Sequence, residues 1–322
     1  MARRVLPAIA ALAAVAVALA GCGSKNKTTT PPTTSAAGSS SAAGGAGKHL
    51  VIGSASFSES QVLAQLYAQL AQKAGYTTEI KTVTTRELYE PALENGQIDI
   101  VPDYAATFTE YLNVKANGAN AKTLATTDKT TTVAALRKLA QPLGLTALDP
   151  SEAADENAFA VTKDFATKNN LKTLSDVATA KLPIKLAAPA ECKTRTFCGK
   201  ALTDVYGINV TRYDPFDFDS VPGKQAAKNG NDDMVLVATD DGTLDQFNLT
   251  ILADDKHVQL ADNLVPIVGK KYATDTTLAA AINKLAPVLT SADLGALDAQ
   301  VDNDKKLPAD VAKAYLQSKS LI

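Results

Sequence analysis

Cys192 and Cys198 stand six positions apart in Pro189-Ala-Glu-Cys-Lys-Thr-Arg-Thr-Phe-Cys-Gly-Lys200, with Arg195 midway between them. Three kinds of chemistry use such a pair: a metal clip, a redox dithiol, or a covalent staple that shapes the loop around the arginine. A zinc site wants four ligands, and His49 and His257 are the only histidines in the chain. A redox dithiol uses Cys-x-x-Cys, a different spacing. The staple requires an oxidising compartment, so the destination of the chain decides the matter.

The N-terminus supplies that destination. Arg3 and Arg4 precede a nearly unbroken apolar run from Val5 to Ala20. At about 16 residues the run is short for a membrane span and suits the apolar core of a secretory signal. It ends in Leu19-Ala20-Gly21-Cys22, which resembles the bacterial lipobox. In lipoproteins of that type the cysteine thiol takes a diacylglycerol and the chain is cut just before it. The alternatives are an ordinary secretory signal with a chance cysteine, or a twin-arginine signal, whose usual surroundings are lacking. The expectation is a signal peptide over residues 1–21 and lipidation at Cys22. Residues 22–47 are rich in Ser, Thr, Gly, Ala and Pro and hold no aromatic residue, so they read as a flexible tether. The chain is then expected on the extracytoplasmic face of the cell membrane, lipid-anchored, with Cys192 and Cys198 joined as a disulfide. Closing so small a loop contributes roughly 2 kcal/mol, so the bridge shapes the loop more than it supports the fold.

In the whole chain Lys and Arg number 32 against 34 Asp and Glu, for a net charge of −2. With no basic face or tail, nucleic acid is not an expected partner. No second apolar run reaches membrane length. The spacing predicts alternating strands and amphipathic helices. His49–Gly53 reads as a strand, and Ser58-Glu-Ser-Gln61 as a capping box that opens a helix. Val62, Leu63, Leu66, Tyr67 and Leu70 lie on one face of that helix. Thr77–Val83 follows as a strand, Arg86–Asn95 as a helix and Gln97–Val101 as a third strand. The rhythm recurs with strand Ile184–Ala188, helix Gly199–Tyr206, strand Ile208–Arg212, helix Val221–Asn229 and strand Met234–Thr239. Thr274–Leu316 reads as helical, with breaks near Thr290 and Leu307-Pro308. This is an α/β pattern with mostly parallel, doubly wound sheets and a helical C-terminal tail.

In such sheets ligands bind beyond the carboxyl ends of the strands. The turns to inspect are 53–58, 102–107, 189–199 and 239–242. In the first, Ser54, Ser56 and Ser58 offer hydroxyl and amide groups at a helix N-terminus, a place for a polar or anionic ligand atom. The alternative is that Ser58 only caps the helix and Phe57 belongs to the core.

Gly53-Ser-Ala-Ser-Phe-Ser-Glu-Ser60, then Gly96-Gln-Ile-Asp-Ile-Val-Pro-Asp-Tyr104 with Thr107, resemble the solute-binding proteins of osmoprotectant ABC importers, which serve glycine betaine and choline. The later segments Asp155–Thr162, Ala238–Gly242 and Leu252–Val268 resemble the same family, in order. The resemblance implies a type II periplasmic-binding fold with two lobes, two crossovers and the ligand in the cleft between them. Lobe 1 would take residues 48–151 plus 262–322, and lobe 2 residues 152–261. It further implies a box of aromatic rings around a quaternary ammonium, whose charge cannot form hydrogen bonds and is held by cation–π attraction. Tyr104 matches one box position, and Phe159 stands where the family usually has tyrosine. Ala55 replaces a family lysine, and Val258–Pro266 lacks a tyrosine that many members carry, so the box is expected to be incomplete. Arg195 matches an arginine that reaches the ligand carboxylate, the group its planar fork reads best.

Ser56, Phe57, Arg86, Tyr104, Thr107, Phe159, Arg195, Thr239 and Asp240 are therefore the expected ligand-binding residues. Tyr213, Phe216 and Phe218 either add a wall or pack under a loop. The expected partners are a small quaternary amine or zwitterion and the ABC permease subunits, with the binding protein itself a monomer. No cofactor or metal is called for. Triad material, HExxH, GxSxG and a P-loop are all absent from the sequence, so an extracytoplasmic enzyme is disfavoured. A different small polar solute, or use of the lobes as a sensor, stays open.

Overall fold

The computed structural model describes residues 47–260 and 262–322; the signal segment, Cys22 and all but the last residue of the tether lie outside the described residues. The chain opens with β1 (His49–Ser54), α1 (Ser58–Lys73), β2 (Thr77–Thr82), α2 (Arg86–Glu94) and β3 (Ile100–Tyr104). Then come α3 (Ala105–Asn117), α4 (Lys129–Ala140) and β4 (Thr146–Ala147). The second lobe holds β5 (Asn157–Thr162), α5 (Lys163–Asn169), α6 (Leu174–Thr179), β6 (Pro183–Ala188), β7 (Asn209–Pro215), α7 (Val221–Lys228), β8 (Met234–Ala238) and β9 (Leu249–Leu252). The chain returns to the first lobe through β10 (Leu264–Val268) and ends in α8 (Thr276–Ile282), α9 (Ser291–Asp302) and α10 (Pro308–Ser318). Among the described residues no helix is long and apolar enough to cross a membrane.

The two sheets share one plan. Their strand orders are β2-β1-β3-β10-β4 and β7-β6-β8-β5-β9. Three strands of each run parallel, while β10 and β4, and likewise β5 and β9, run antiparallel to their neighbours. The sheets are thus mostly parallel with one reversed strand in each, β10 in the first and β5 in the second. The reason is topological: β10 and β5 enter from the opposite lobe and lie beside β3 and β8 in the reverse direction. Local apolar patterning carries no information about that direction.

α1 forms as its spacing predicts, with Val62, Leu63, Leu66, Tyr67 and Leu70 all buried. They pack against Leu278, Leu294, Val311 and Leu316 of the C-terminal helices, which close the outer layer of the first lobe. Each such side chain contributes roughly 1.5–3 kcal/mol when removed from water. The predicted cap does not form. The Ser58 hydroxyl instead donates to Asp302 Oδ1 at 2.6 Å, tying the start of α1 to the end of α9. The predicted turn over 102–107 is also absent, because β3 continues to Tyr104 and α3 begins at Ala105 without a loop. Ala201–Tyr206 is helical, but of the wide π type.

Two crossovers join the lobes, and they lie side by side. Ala154 and Asn263 form an antiparallel bridge. The Asn263 amide donates to the carbonyl of Ser151 at 3.1 Å, and the Leu264 N–H to that of Ala153 at 3.0 Å.

Candidate functional site

The carboxyl ends of β1, β3, β6 and β7 face a cleft that holds two adjoining chambers, of about 390 and 290 Å³. Phe57, Arg86, Tyr104, Arg195 and Phe218 line both and form the wall between them.

The first-lobe side rests on a buried ion pair. Arg86 opens α2 and donates to Asp103 from Nε at 3.2 and 3.1 Å and from NH2 at 2.5 Å. Asp103 is fully buried and also accepts from the Tyr89 hydroxyl at 2.6 Å and the Tyr104 N–H at 2.7 Å. The remaining reach of Arg86 goes to Thr107 Oγ1 at 2.8 Å. Burial works against the guanidinium charge, but Asp103 and its neighbours more than offset it and raise the Arg86 pKa well above the usual value. Asp262 caps α3, accepting from the Ala106 N–H at 2.5 Å and the Thr107 N–H at 3.2 Å. Burial lifts its carboxyl to about 7 even though Arg86 opposes the rise.

The second-lobe side is the stapled loop. Cys192 and Cys198 are joined by a disulfide. The turn inside it is tight: the Arg195 N–H donates to the Cys192 carbonyl at 3.1 Å and the Cys198 N–H to the Arg195 carbonyl at 3.2 Å. A Cβ on Gly199 would lie 2.7 Å from the Cys192 carbonyl oxygen, so only glycine fits there. The loop delivers Arg195 and Phe197 to the larger chamber. Arg195 crosses the cleft to Glu87 on α2, with Nε 3.1 Å from Oε1 and NH2 2.8 Å from Oε2. Its NH2 also lies 3.2 Å from Glu191. Burial pushes the Glu87 carboxyl up, yet the Arg195 fork prevails and holds it below its ordinary value. Phe197 packs against Ala106 and Ala125 of the first lobe, and Asn157 steadies it by donating to its carbonyl at 3.1 Å.

Of the expected residues, Phe57, Arg86, Tyr104, Thr107 and Arg195 line the larger chamber, and Ser56 lines the smaller one. Phe159 does not belong with them. It is 1 % exposed and lies in the second lobe's core with Leu186, Leu236, Cys192 and Cys198. Strand alternation places it on the face it shares with Asn157, but two residues deeper, so only Asn157 emerges at the cleft. Thr239 and Asp240 also miss both chambers. The Thr239 hydroxyl accepts from the Glu156 N–H at 3.2 Å, which fastens the turn after β8 to the first crossover. Ala55 lines the smaller chamber, where its N–H donates to Ser60 Oγ at 2.8 Å.

The ring complement is larger than the three rings named from the sequence, Phe57, Tyr104 and Phe159. Phe57, Tyr104, Tyr111, Phe197 and Phe218 all line the larger chamber. Phe57 and Phe218 meet edge to face across the cleft, with centroids 5.3 Å apart. Besides Phe57 and Tyr104, two more had visible signals: Phe197 lies inside the stapled segment and Phe218 in the aromatic cluster Tyr213-Asp-Pro-Phe-Asp-Phe218. Glu87 and Asp103 had only their positions beside Arg86 and Tyr104.

Next to the chamber, oxygens of Glu59, Asp155 and Asp240 lie within 4.8 Å of one another. The Tyr104 hydroxyl donates to Glu59. Burial first and Asp240 second raise Glu59 to about 8. Burial, then Glu59, lifts Asp155, and burial lifts Asp240. Carboxyls this close and this buried each oppose the ionisation of the others. Asp155 also faces the larger chamber, so an enclosed cation would meet a carboxyl as well as rings.

Residues 48–318 match the family described as the substrate binding domain of the ABC-type glycine betaine transport system. Relatives include a glycine-betaine-binding protein of Pseudomonas aeruginosa, 27% identical over 85% of this chain and 88% of that one. The carnitine transport binding protein OpuCC of Listeria monocytogenes is 26% identical over 83% of this chain and 85% of its own length. Among solved structures, a glycine betaine/carnitine/choline ABC transporter protein superposes with a TM-score of 0.61 at 21% identity, over 85% of this chain and 98% of that one. Lactococcal OpuAC, closed on glycine betaine, gives 0.58 at 15% identity, over 85% of this chain and 96% of its own. These two likenesses establish the two-lobed fold.

Proposed function

The chain belongs to this family of ABC transporter substrate-binding domains, and from that premise we propose that it holds a small quaternary ammonium solute in the larger chamber and hands it to a membrane permease. The observation that carries the reading is five aromatic rings, drawn from both lobes, around one chamber that also presents the Asp155 carboxyl. A permanently charged ammonium with methyl groups offers no hydrogen-bond donor, and ring faces with a nearby carboxyl suit it. The relatives named above are transport binding proteins.

Tyr104, Phe57 and Phe197 are the proposed ring contacts, with Arg86 and Thr107 shaping the floor. We place the protein on the extracytoplasmic side, where importers collect their solutes, held there by lipid at Cys22. If Cys22→Ala leaves the mass and the membrane fraction unchanged, the anchor is wrong. The solute reading is tested by a thermal-shift screen over choline, glycine betaine, carnitine, amino acids and sugars. A true ligand at about 100 times its dissociation constant stabilises by about 2.7 kcal/mol. A shift from a sugar or an ordinary amino acid, with none from any quaternary amine, would sink it.

A further inference from the structure

We infer that Glu87 tunes the cleft to solutes of net positive charge, cations without a carboxylate, by occupying the Arg195 fork that a zwitterion's carboxylate would need. The inference rests on the proposed quaternary ammonium site and adds which ammonium solutes it favours.

The argument begins with what the guanidinium already holds. Arg195 presents one edge to Glu87 in two parallel hydrogen bonds of 3.1 and 2.8 Å. Glu191 stands 3.2 Å from the same NH2. One positive charge therefore serves two carboxylates. A solute carboxylate arriving at Arg195 must expel Glu87 or become a third negative group around a single guanidinium.

Two of the other chamber cations already hold carboxylates, and the third is held by a carbonyl. Arg86 is spent on Asp103 at 2.5 Å. Lys115 reaches Glu90 at 2.7 Å and Glu94 at 2.5 Å. Lys200 donates to the Ala119 carbonyl at 2.6 Å. Against these, Glu87, Glu110, Asp155 and Asp262 all line the chamber. At the fork itself two carboxylates, Glu87 and Glu191, face one guanidinium, so negative charge is in excess there. A cation completes that balance, whereas a carboxylate adds to its excess.

The test is titration calorimetry of choline and glycine betaine into wild type, Glu87→Gln, Arg195→Ala and the double variant. The Glu87 side chain is 36 % exposed, so Glu87→Gln keeps the fold, and its melting temperature checks this. Wild type is expected to bind choline more tightly than glycine betaine by about ten-fold or more. Glu87→Gln frees the fork and narrows that ratio by about ten- to a hundred-fold, the worth of a charged hydrogen bond. On the Arg195→Ala background, Glu87→Gln leaves the ratio unchanged, because no fork remains to free. The inference is overturned if wild type prefers glycine betaine, or if Glu87→Gln leaves the ratio where it was while both solutes still bind. If neither solute binds any variant, the quaternary ammonium reading itself falls and takes this one with it.

Discussion

Arg86 and Asp103 form a buried ion pair with a shortest contact of 2.5 Å, and Asp103 has no exposure at all. The pair joins the start of α2 to the end of β3 and so fixes Tyr104, the next residue, at the cleft. Removing one member of such a pair leaves an uncompensated buried charge.

Asp103→Ala is accordingly expected to lower stability by about 3–5 kcal/mol, and Arg86→Ala by a similar amount. The double variant should cost clearly less than the two single losses added together, since neither charge is then stranded. Chemical denaturation of the four proteins checks this; strict additivity would show that the pair is not coupled.

Phe57 and Phe159 should separate binding from folding. Phe57→Ala removes a ring from both chambers and is expected to weaken solute binding by about two- to thirty-fold, with little loss of stability. Phe159→Ala opens a cavity in the core beneath the stapled loop and should cost about 3–5 kcal/mol of stability. The folded fraction of Phe159→Ala, measured well below its melting temperature, should bind nearly as wild type does. The reverse pattern would return Phe159 to the site.

Stability should fall as the medium becomes less acidic. Glu59 keeps its proton up to about 8 in the folded protein against 4.5 when unfolded, so the native state binds more protons across that window. Where the native state binds more protons, raising the pH destabilises it. Asp262 and Asp298, each lifted to about 7 chiefly by burial, act in the same sense. Melting temperatures recorded from about pH 5 to about pH 8 should decline, and Glu59→Gln should flatten the decline. A wild-type melting temperature that climbs across this range contradicts the assignment.

Replacing both cysteines by serine should cost about 2 kcal/mol, the entropy of so short a loop. The larger effect is expected on binding, because the released loop must order Arg195 and Phe197 each time the cleft fills. Calorimetry of Cys192→Ser/Cys198→Ser at a temperature where it stays folded reads this directly. Unchanged affinity would reduce the bridge to a stabilising clip.

How much of this could be read from residues alone varied with the distance over which each signal acts. β1, α1, β2 and α2 announce themselves through apolar spacing, and the stapled loop through its cysteines and the export signal before them. Ser58 looked like a helix cap because that pattern is local. Its real partner, Asp302, lies 244 residues away, and no local pattern reports it. Phe159 illustrates depth. Alternation fixes which face of a strand a side chain takes but not whether it lies at the strand's end or one pleat inside. Glu87 was invisible for another reason: its role depends on Arg195 reaching across from the second lobe.

The shared strand plan of the two sheets also bears on the order in which the chain can acquire structure. The second sheet is built from one uninterrupted length, β5 through β9, residues 157–252. The first sheet is not, because β10 lies between β3 and β4, and β4 has no other neighbour in the sheet. β4, formed by residue 147, must therefore wait for a strand that begins at residue 264 before it can pair at all. Closing that long loop costs entropy before any contact repays it, whereas the second lobe needs only shorter closures. During refolding, pulse-labelled amide exchange should find β6 and β8 protected before β4, so that the lobe in the middle of the sequence serves as the platform on which the two ends meet.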